Sequence, residues 1–404
     1  MTLKKKRTLG MFFAATTVAI VPIATVVACG TSSKADHFIN QGSYQNAGRI
    51  LKAEQVDLVP IYSDARKDFD KDIQKWALEK DKKGTGFKNT EIIAVSEAIQ
   101  NDGIVSKPGY SKEVNNQLAK IFTELVNIKE DSFMVDKKNA ITSTYGHTGY
   151  RNTMDGQTSS ASTEPTADGK PIKESKFKEH NSKFGKEKPH GIITIEFVAS
   201  RDPQRLKRAA EKIVPKLQAS LKKQWKEVTK VVFNVANDYS VASERVASGT
   251  SDIGFLPFDT FSNIVKKGKK DIHMFAQASR DAINWDVPVS AGQAETDLQK
   301  VLKKANDTQY FFNKKGELEM NSKTEKTTFY RSILLAKKGK KINGVLLKDL
   351  FENPTKEKWD KVKDLIRIGH GSETSGGSYM EPQEIFRNKF NKFGFESFKK
   401  EFGL

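Results

Sequence analysis

The chain of 404 residues contains one cysteine, so no disulfide can form within it. Its six histidines are scattered, and none stands in a His-Glu-x-x-His arrangement, so no metal site is expected. Neither Ser372 nor Ser375 has flanking glycines at the spacing of a nucleophile elbow, and the Walker phosphate-binding pattern is absent. The sequence thus offers no carrier for catalysis; an enzyme is not expected, nor is a cofactor. Zinc-knuckle, ribonucleoprotein-type and helix-turn-helix patterns are missing too, and no patch interleaves basic with aromatic residues. Nucleic acid is therefore not an expected partner. Aliphatic residues almost vanish between Asn152 and Pro189, where Ser, Thr, Lys, Glu and Gly dominate. Such a segment buries too little apolar surface to order itself and predicts a disordered linker or insertion over 152–190.

The rest of the composition suits a soluble protein. Hydrophobic residues make up 37%, and the formal charge is +18, carried mainly by lysines spread along the chain. That balance favours anionic ligands or surfaces, although a dispersed excess of lysine is commonly a solvated surface. The length allows two domains of ordinary size.

The N-terminus carries a processing signal. Lys4-Lys5-Lys6-Arg7 precedes an apolar stretch, Met11 to Ala28, softened by Thr16, Thr17, Pro22 and Thr25. It ends Val26-Val27-Ala28-Cys29-Gly30, with small residues against the only cysteine. This predicts a lipoprotein signal peptide over 1–28, lipidation of Cys29, and a mature protein tethered to the outer face of the cell membrane. A plain transmembrane anchor is the competing reading.

Residues 29–151 read as a polar tether followed by a mainly helical region. Helices are expected over Ala65 to Lys82, Ile92 to Ile99 and Val114 to Val126, the last with Leu118, Ile121, Phe122 and Leu125 on one face. His147, among Tyr145, Gly146 and Gly149, fits a site, but such a histidine is more often in a turn. From Gly191 strands and helices alternate. Ile192 to Val198 is a β-branched strand, and Asp202 and Pro203 open a helix with Leu206, Ala209, Ala210, Ile213, Val214, Leu217 and Leu221 on one face and Pro215 as a kink. A second strand spans Val228 to Val235, a short helix follows Asn237-Asp238-Tyr239, and a third apolar run spans Ile253 to Phe258. Such alternation argues an α/β domain with a mainly parallel sheet, which binds ligands at the carboxyl ends of its strands.

The stretch from Ile368 to Glu384 organises the C-terminal part. A strand over Leu365 to Ile368 breaks into a Gly, Ser and Thr loop, and Pro382 opens a helix. Strand, glycine loop and helix start together form an anion cradle, with hydroxyl donors at Ser372, Thr374, Ser375 and Ser378. A polar surface loop is the alternative.

Five segments carry a family resemblance: Phe197 to Leu206, Asn237 to Tyr239, Ala247 to Phe261, Thr328 to Leu335 and the loop Ser375 to Pro382, which holds Tyr-x-x-Pro at Tyr379 and Pro382. Over roughly 191–398 the chain resembles the phosphonate/phosphite/phosphate-binding proteins of ABC transporters. With its lysines and lipobox it resembles the mollicute high-affinity transport lipoproteins, implicated in binding thiamine or its phosphates. The resemblance implies a periplasmic-binding-protein-like, two-lobed α/β fold of type II, with lobe one over 191–330 and hinge and lobe two over 331–404. It implies that Ser200, Tyr239, Ser372, Thr374, Ser375, Ser378 and Tyr379 line the cleft. The implied ligand is a small anionic phosphorus-containing solute, and the implied partner an ABC transporter permease. His370 and Arg331 are lesser candidates. Members of that family continue past the Ser/Thr loop, whereas here only a short segment follows. An incomplete second lobe is therefore expected, unless residues 31–150 supply the missing elements. The rival reading is a degenerate or adhesive surface lipoprotein that keeps the fold without the transport function.

Overall fold

A computed structural model describes residues 37–128, 134–135, 138–154, 184–198, 203–236, 238–268, 271–289, 293–371, 373 and 375–401. The fold is mixed α/β and is built on two principal sheets.

The first sheet has five strands: β1 (Phe38–Asn40), β2 (Leu58–Tyr62), β3 (Thr90–Val95), β13 (Ser332–Lys337) and β14 (Ile368–His370), in the order β1-β14-β2-β13-β3. β1, β14 and β2 are parallel; β13 runs antiparallel to both β2 and β3. Helices cover both faces: α1 (Tyr44–Lys52), α2 (Lys71–Ala77) and α8 (Leu298–Ala305) on one, α9 (Leu347–Glu352), α10 (Lys356–Val362), α11 (Glu381–Phe390) and α12 (Phe395–Glu401) on the other.

The second sheet has seven strands: β5 (Gly103–Ser106), β6 (Gly149–Asn152), β7 (Gly191–Val198), β8 (Val228–Ala236), β9 (Ile253–Leu256), β10 (His273–Ile283) and β11 (Asn321–Thr327). Its order is β8-β7-β9-β5-β10-β11, with β6 also paired to β10. Only β8, β7 and β9 are parallel; β5 runs antiparallel to β9 and β10. The expected parallel domain is therefore a mixed sheet. α3 (Lys112–Asn127), α4 (Ala140–Tyr145) and α5 (Pro203–Gln224) pack on one face, and α6 (Tyr239–Ala247) and α7 (Phe258–Lys266) on the other. The apolar face expected for α5 is buried throughout, from Leu206 to Leu221, and the helix runs on through Pro215.

The N-terminal region expected to be mainly helical holds the helix expected over 114–126, as α3, but also supplies three strands of the first sheet. Thr90–Val95 within the expected helix over 92–99 is strand β3, because Ile92 and Val95 pack into the core on one face and Ile93 and Ala94 into that on the other. A strand covered on both faces shows no alternation. The expected helix over 65–82 is split, since Phe69 is extended between a 3₁₀ turn (Ala65–Asp68) and α2. The tether is also shorter than expected, because β1 already belongs to the first sheet. Residues 38–95 supply three of that sheet's five strands, so the sheet holding β13 and β14 is not cut short at the Ser375 loop. On either side of the expected division at 330/331, β11 is in the second sheet and β13 in the first, while Trp285, Val301 and Phe311 pack in the first sheet's core. Residues 155–183 of the expected linker and Cys29 with its signal peptide lie outside the described residues. Phe184, at the linker's end, stacks on His273 with ring centroids 4.0 Å apart.

Two short strands link the sheets: β4 (Ile99–Gln100) pairs antiparallel with β12 (Phe329–Tyr330). Beside them Asn101, fully buried, donates to the carbonyls of Ala278 (3.2 Å) and Thr327 (3.4 Å). Arg331 is also fully buried, and its guanidinium is consumed here. Nε donates to Asp286 at 2.8 Å, Nη1 to the Ser96 carbonyl at 3.0 Å and Nη2 to the Glu295 carbonyl at 2.6 Å. All three guanidinium nitrogens are thus engaged within the protein, and Arg331 fastens the crossing rather than facing a cavity.

Candidate functional site

The carboxyl ends of the parallel strands in both sheets converge on one small cavity of about 50 Å³. From the first sheet come Tyr44, opening α1 after β1, Tyr62, ending β2, and Ser375 and Gly376, in the loop after β14. From the second come Tyr239, opening α6 after β8, and Pro257, following β9. Asp102 and Tyr330, flanking the crossing strands, Arg280 of β10 and Tyr145 of α4 complete the wall.

Local sequence explains the two helix starts. Ser43 accepts from the Asn46 N–H at 3.2 Å, and Asp238 accepts from the Ser240 N–H at 2.6 Å, so each helix is capped just before its tyrosine. Gly376 is dictated by close approach, because a Cβ there would fall 2.0 Å from Asp259 Oδ2 and 3.0 Å from the Tyr330 hydroxyl. Asp259 belongs to α7 of the second sheet, so the glycine loop already touches the opposite side. Asn263 of the same helix adds a contact to Met380 Sδ at 3.4 Å.

Within the loop, Ser378 donates to Ser375 Oγ at 2.8 Å, and Ser375 Oγ lies 3.3 Å from the Tyr44 hydroxyl. Ser375 thus faces the cavity, while Ser378 stands behind it and orients it. Tyr44 and Tyr62 meet edge to face at 4.7 Å, and the Tyr62 hydroxyl donates to Asp68. Burial pushes the Tyr145 and Tyr330 hydroxyls well above their usual range, so both remain neutral donors.

Two opposite charges, Arg280 and Asp102, line the cavity. Arg280 is nine-tenths buried, with Nη1 3.2 Å from Asp64 Oδ1 and its guanidinium 5.1 Å from the Tyr330 ring. Its buried Nε has no hydrogen-bond partner within the protein. Asp102 has behind it His147, whose Nε2 lies 3.7 Å from Asp102 Oδ2 and whose Nδ1 lies 3.1 Å from the Tyr150 hydroxyl. His147, in the turn between α4 and β6, is therefore a buried support for the site.

Of the residues expected in the cleft, Tyr239 and Ser375 meet in the cavity, from opposite sheets. Ser200, Ser372 and Thr374 lie outside the described residues. Tyr379 does not reach the cavity. It turns to the far side of the loop, where it packs edge to face on His370 at 5.9 Å and borders a separate small cavity with Pro382 and Phe386. His370 accordingly serves the loop, its Nδ1 lying 2.9 Å from the Gly371 carbonyl. Sequence reasoning missed Tyr44, Tyr62, Asp102, Arg280 and Tyr330.

No family model matches the chain, and no curated protein or solved structure shows significant similarity to it. Among the described residues no group of His, Cys, Asp or Glu could hold a metal ion, and no helix is long and apolar enough to cross a membrane.

Proposed function

We propose that the protein is a substrate-binding lipoprotein of an ABC transporter. The two sheets act as the two lobes of a type II periplasmic-binding-like fold, and a phosphonate- or phosphate-type solute is captured between them for delivery to a permease. Lipidation at Cys29 would hold the protein at the outer face of the membrane. The observation that carries this reading is the convergence of Tyr239 and Ser375, from opposite sheets, on one polar cavity at the strand ends.

The donors suit a phosphoryl group. The free Nε of Arg280 is a charged hydrogen-bond donor, and Ser375 and the tyrosine hydroxyls are neutral ones. Asp102 shapes the choice of solute. A carboxylate on the same wall repels a bare anion, so a solute that also carries a cationic group is favoured over inorganic phosphate. 2-Aminoethylphosphonate and the thiamine phosphates fit that description. A cavity of about 50 Å³ is far below the several hundred Å³ of ordinary ligand pockets, so a solute enters only when the sheets part. The ion pair of Arg280 with Asp64 and the small volume favour the second reading, a surface lipoprotein of the same fold without solute transport.

Calorimetric titration of the soluble chain from Gly30 with phosphate, methylphosphonate, 2-aminoethylphosphonate, thiamine and thiamine pyrophosphate separates the two. Saturable binding of one of them, weakened by Tyr239→Ala and Ser375→Ala, is the expected result. A folded protein that binds none of the five would leave the second reading.

A further inference from the structure

A larger cavity, of about 270 Å³, lies elsewhere on the first sheet and has no part in the site between the sheets. Five consecutive residues line it, Ile93 to Glu97. Ile93 to Val95 belong to β3, and Ser96 and Glu97 follow it. Successive strand residues point to opposite faces, so a cavity touching three in a row opens on the edge of the strand. β3 is the last strand of its sheet, and among the described residues no strand lies beyond it.

Near its start that edge is covered. Asn306 accepts from the Ile92 N–H and donates to the Ile92 carbonyl, both at 2.8 Å, so that one side-chain amide stands in for a neighbouring strand. From Ile93 onward the cavity occupies the place such a strand would take. Its walls are apolar on both sides of the sheet, with Leu302 of α8 on one and Phe351 and Ile385 of α9 and α11 on the other. Its charge is mainly negative. Glu97, Glu352, Glu381 and Glu384 line it against a single cation, Lys389, although the whole chain is +18. Glu352 contacts Lys348 at 3.8 Å and Glu384 contacts Arg387, both exposed pairs that an incoming cation can rearrange at little cost.

We propose that this groove docks an extended basic segment of a partner protein, which adds as a strand along the edge of β3. Main-chain hydrogen bonds would supply the pairing, the apolar walls would take alternate side chains, and the glutamates would select for lysine or arginine. The proposal stands apart from the solute cavity and holds whether or not a solute binds there.

The test titrates the full chain with two fluorescein-labelled peptides, one alternating lysine with valine and the other glutamate with valine, and follows anisotropy. The basic peptide should bind at least about tenfold more tightly, a difference of about 1.4 kcal/mol, and should slow amide hydrogen exchange at Ile93 to Glu97. Two surface changes should each weaken it at least about tenfold: the double reversal Glu352→Lys/Glu384→Lys, and Gln299→Trp, which fills the groove from α8. Both variants change exposed side chains, and unaltered thermal melting would show them folded. Equal binding of the two peptides would overturn the proposal. So would basic-peptide binding that survives both variants. Displacement of the peptide by spermidine, without exchange protection of the strand, would mark a site for small cations and also overturn it.

Discussion

The two sheets share one plan but draw on the chain differently. Each has three parallel strands, then an antiparallel one, then a strand antiparallel to that. In the second sheet the middle parallel strand, β7, comes first in the chain, then the outer β8, then the inner β9. In the first, the middle strand β14 comes last, and the outer β1 and inner β2 come at the front. Each antiparallel strand is supplied by chain that has just left the other sheet: β5 follows β3, and β13 follows β10 and β11. The correspondence reaches the cavity, where α1 and α6, both nine residues long, follow the outer strands and open with Tyr44 and Tyr239. Position in the fold, more than any local motif, decides which side chains meet.

Four experiments bear on this correspondence. The largest effect is expected at the crossing that both halves share. Asp286→Ala strands the buried Arg331 guanidinium and should cost about 3–5 kcal/mol in urea denaturation. A loss under about 1 kcal/mol would mean that the pair contributes little to the junction. Next are the paired tyrosines. If the halves are equivalent in function, Tyr44→Ala and Tyr239→Ala should each weaken binding of the captured solute roughly tenfold by calorimetry, about 1.4 kcal/mol. Loss from only one of the two would confine the equivalence to the backbone.

The helix caps offer a finer comparison. Ser43→Ala and Asp238→Ala should each lower stability by about 1 kcal/mol, read as similar shifts in denaturation midpoint. The smallest signal is spectroscopic. Burial holds the hydroxyls of Tyr110, Tyr145, Tyr150 and Tyr330 above their usual range, so these four of the nine tyrosines should stay silent at 295 nm as pH rises through about 10. The unfolded chain would ionise there while the folded one would not. The stabilisation is thus complete below pH about 10 and declines above it, until unfolding releases all four together.

The parallel half of the second sheet was legible because its signals are local: β7, α5, β8, α6 and β9 each show a period, a cap or a β-branched run of their own. The first was not. β2 reads Leu-Val-Pro-Ile-Tyr, and a proline argues against a central strand. Pro60 is tolerated because β14 pairs with β2 only at Leu58, so the missing N–H falls beyond that ladder, while Gln41 donates to the Pro60 carbonyl at 3.1 Å. β3 lost its alternation to burial on both faces. With those strands misread, Tyr44 and Tyr62 had no strand ends to mark them. Arg280 lies inside a long strand, and Asp102 gains its place only from the pairing of β4 with β12. In the Ser375 loop, composition identified the hydroxyls but not their directions, and Tyr379, which the resemblance placed in the cleft, lies on the far side of the loop.

The exchange of strands between the sheets has a consequence for synthesis. β1, β2 and β3 are made first, yet their in-sheet neighbours β13 and β14 are complete only when residue 370 has been added. Until then the Leu58–Tyr62 and Thr90–Val95 strands have apolar faces and unpaired edges, and the contacts that cover them close over very long stretches of chain. Such contacts form slowly, and uncovered strands of this kind aggregate readily. Folding of the first sheet should therefore wait until β14 has been made, and the nascent chain should depend on a holding chaperone until then.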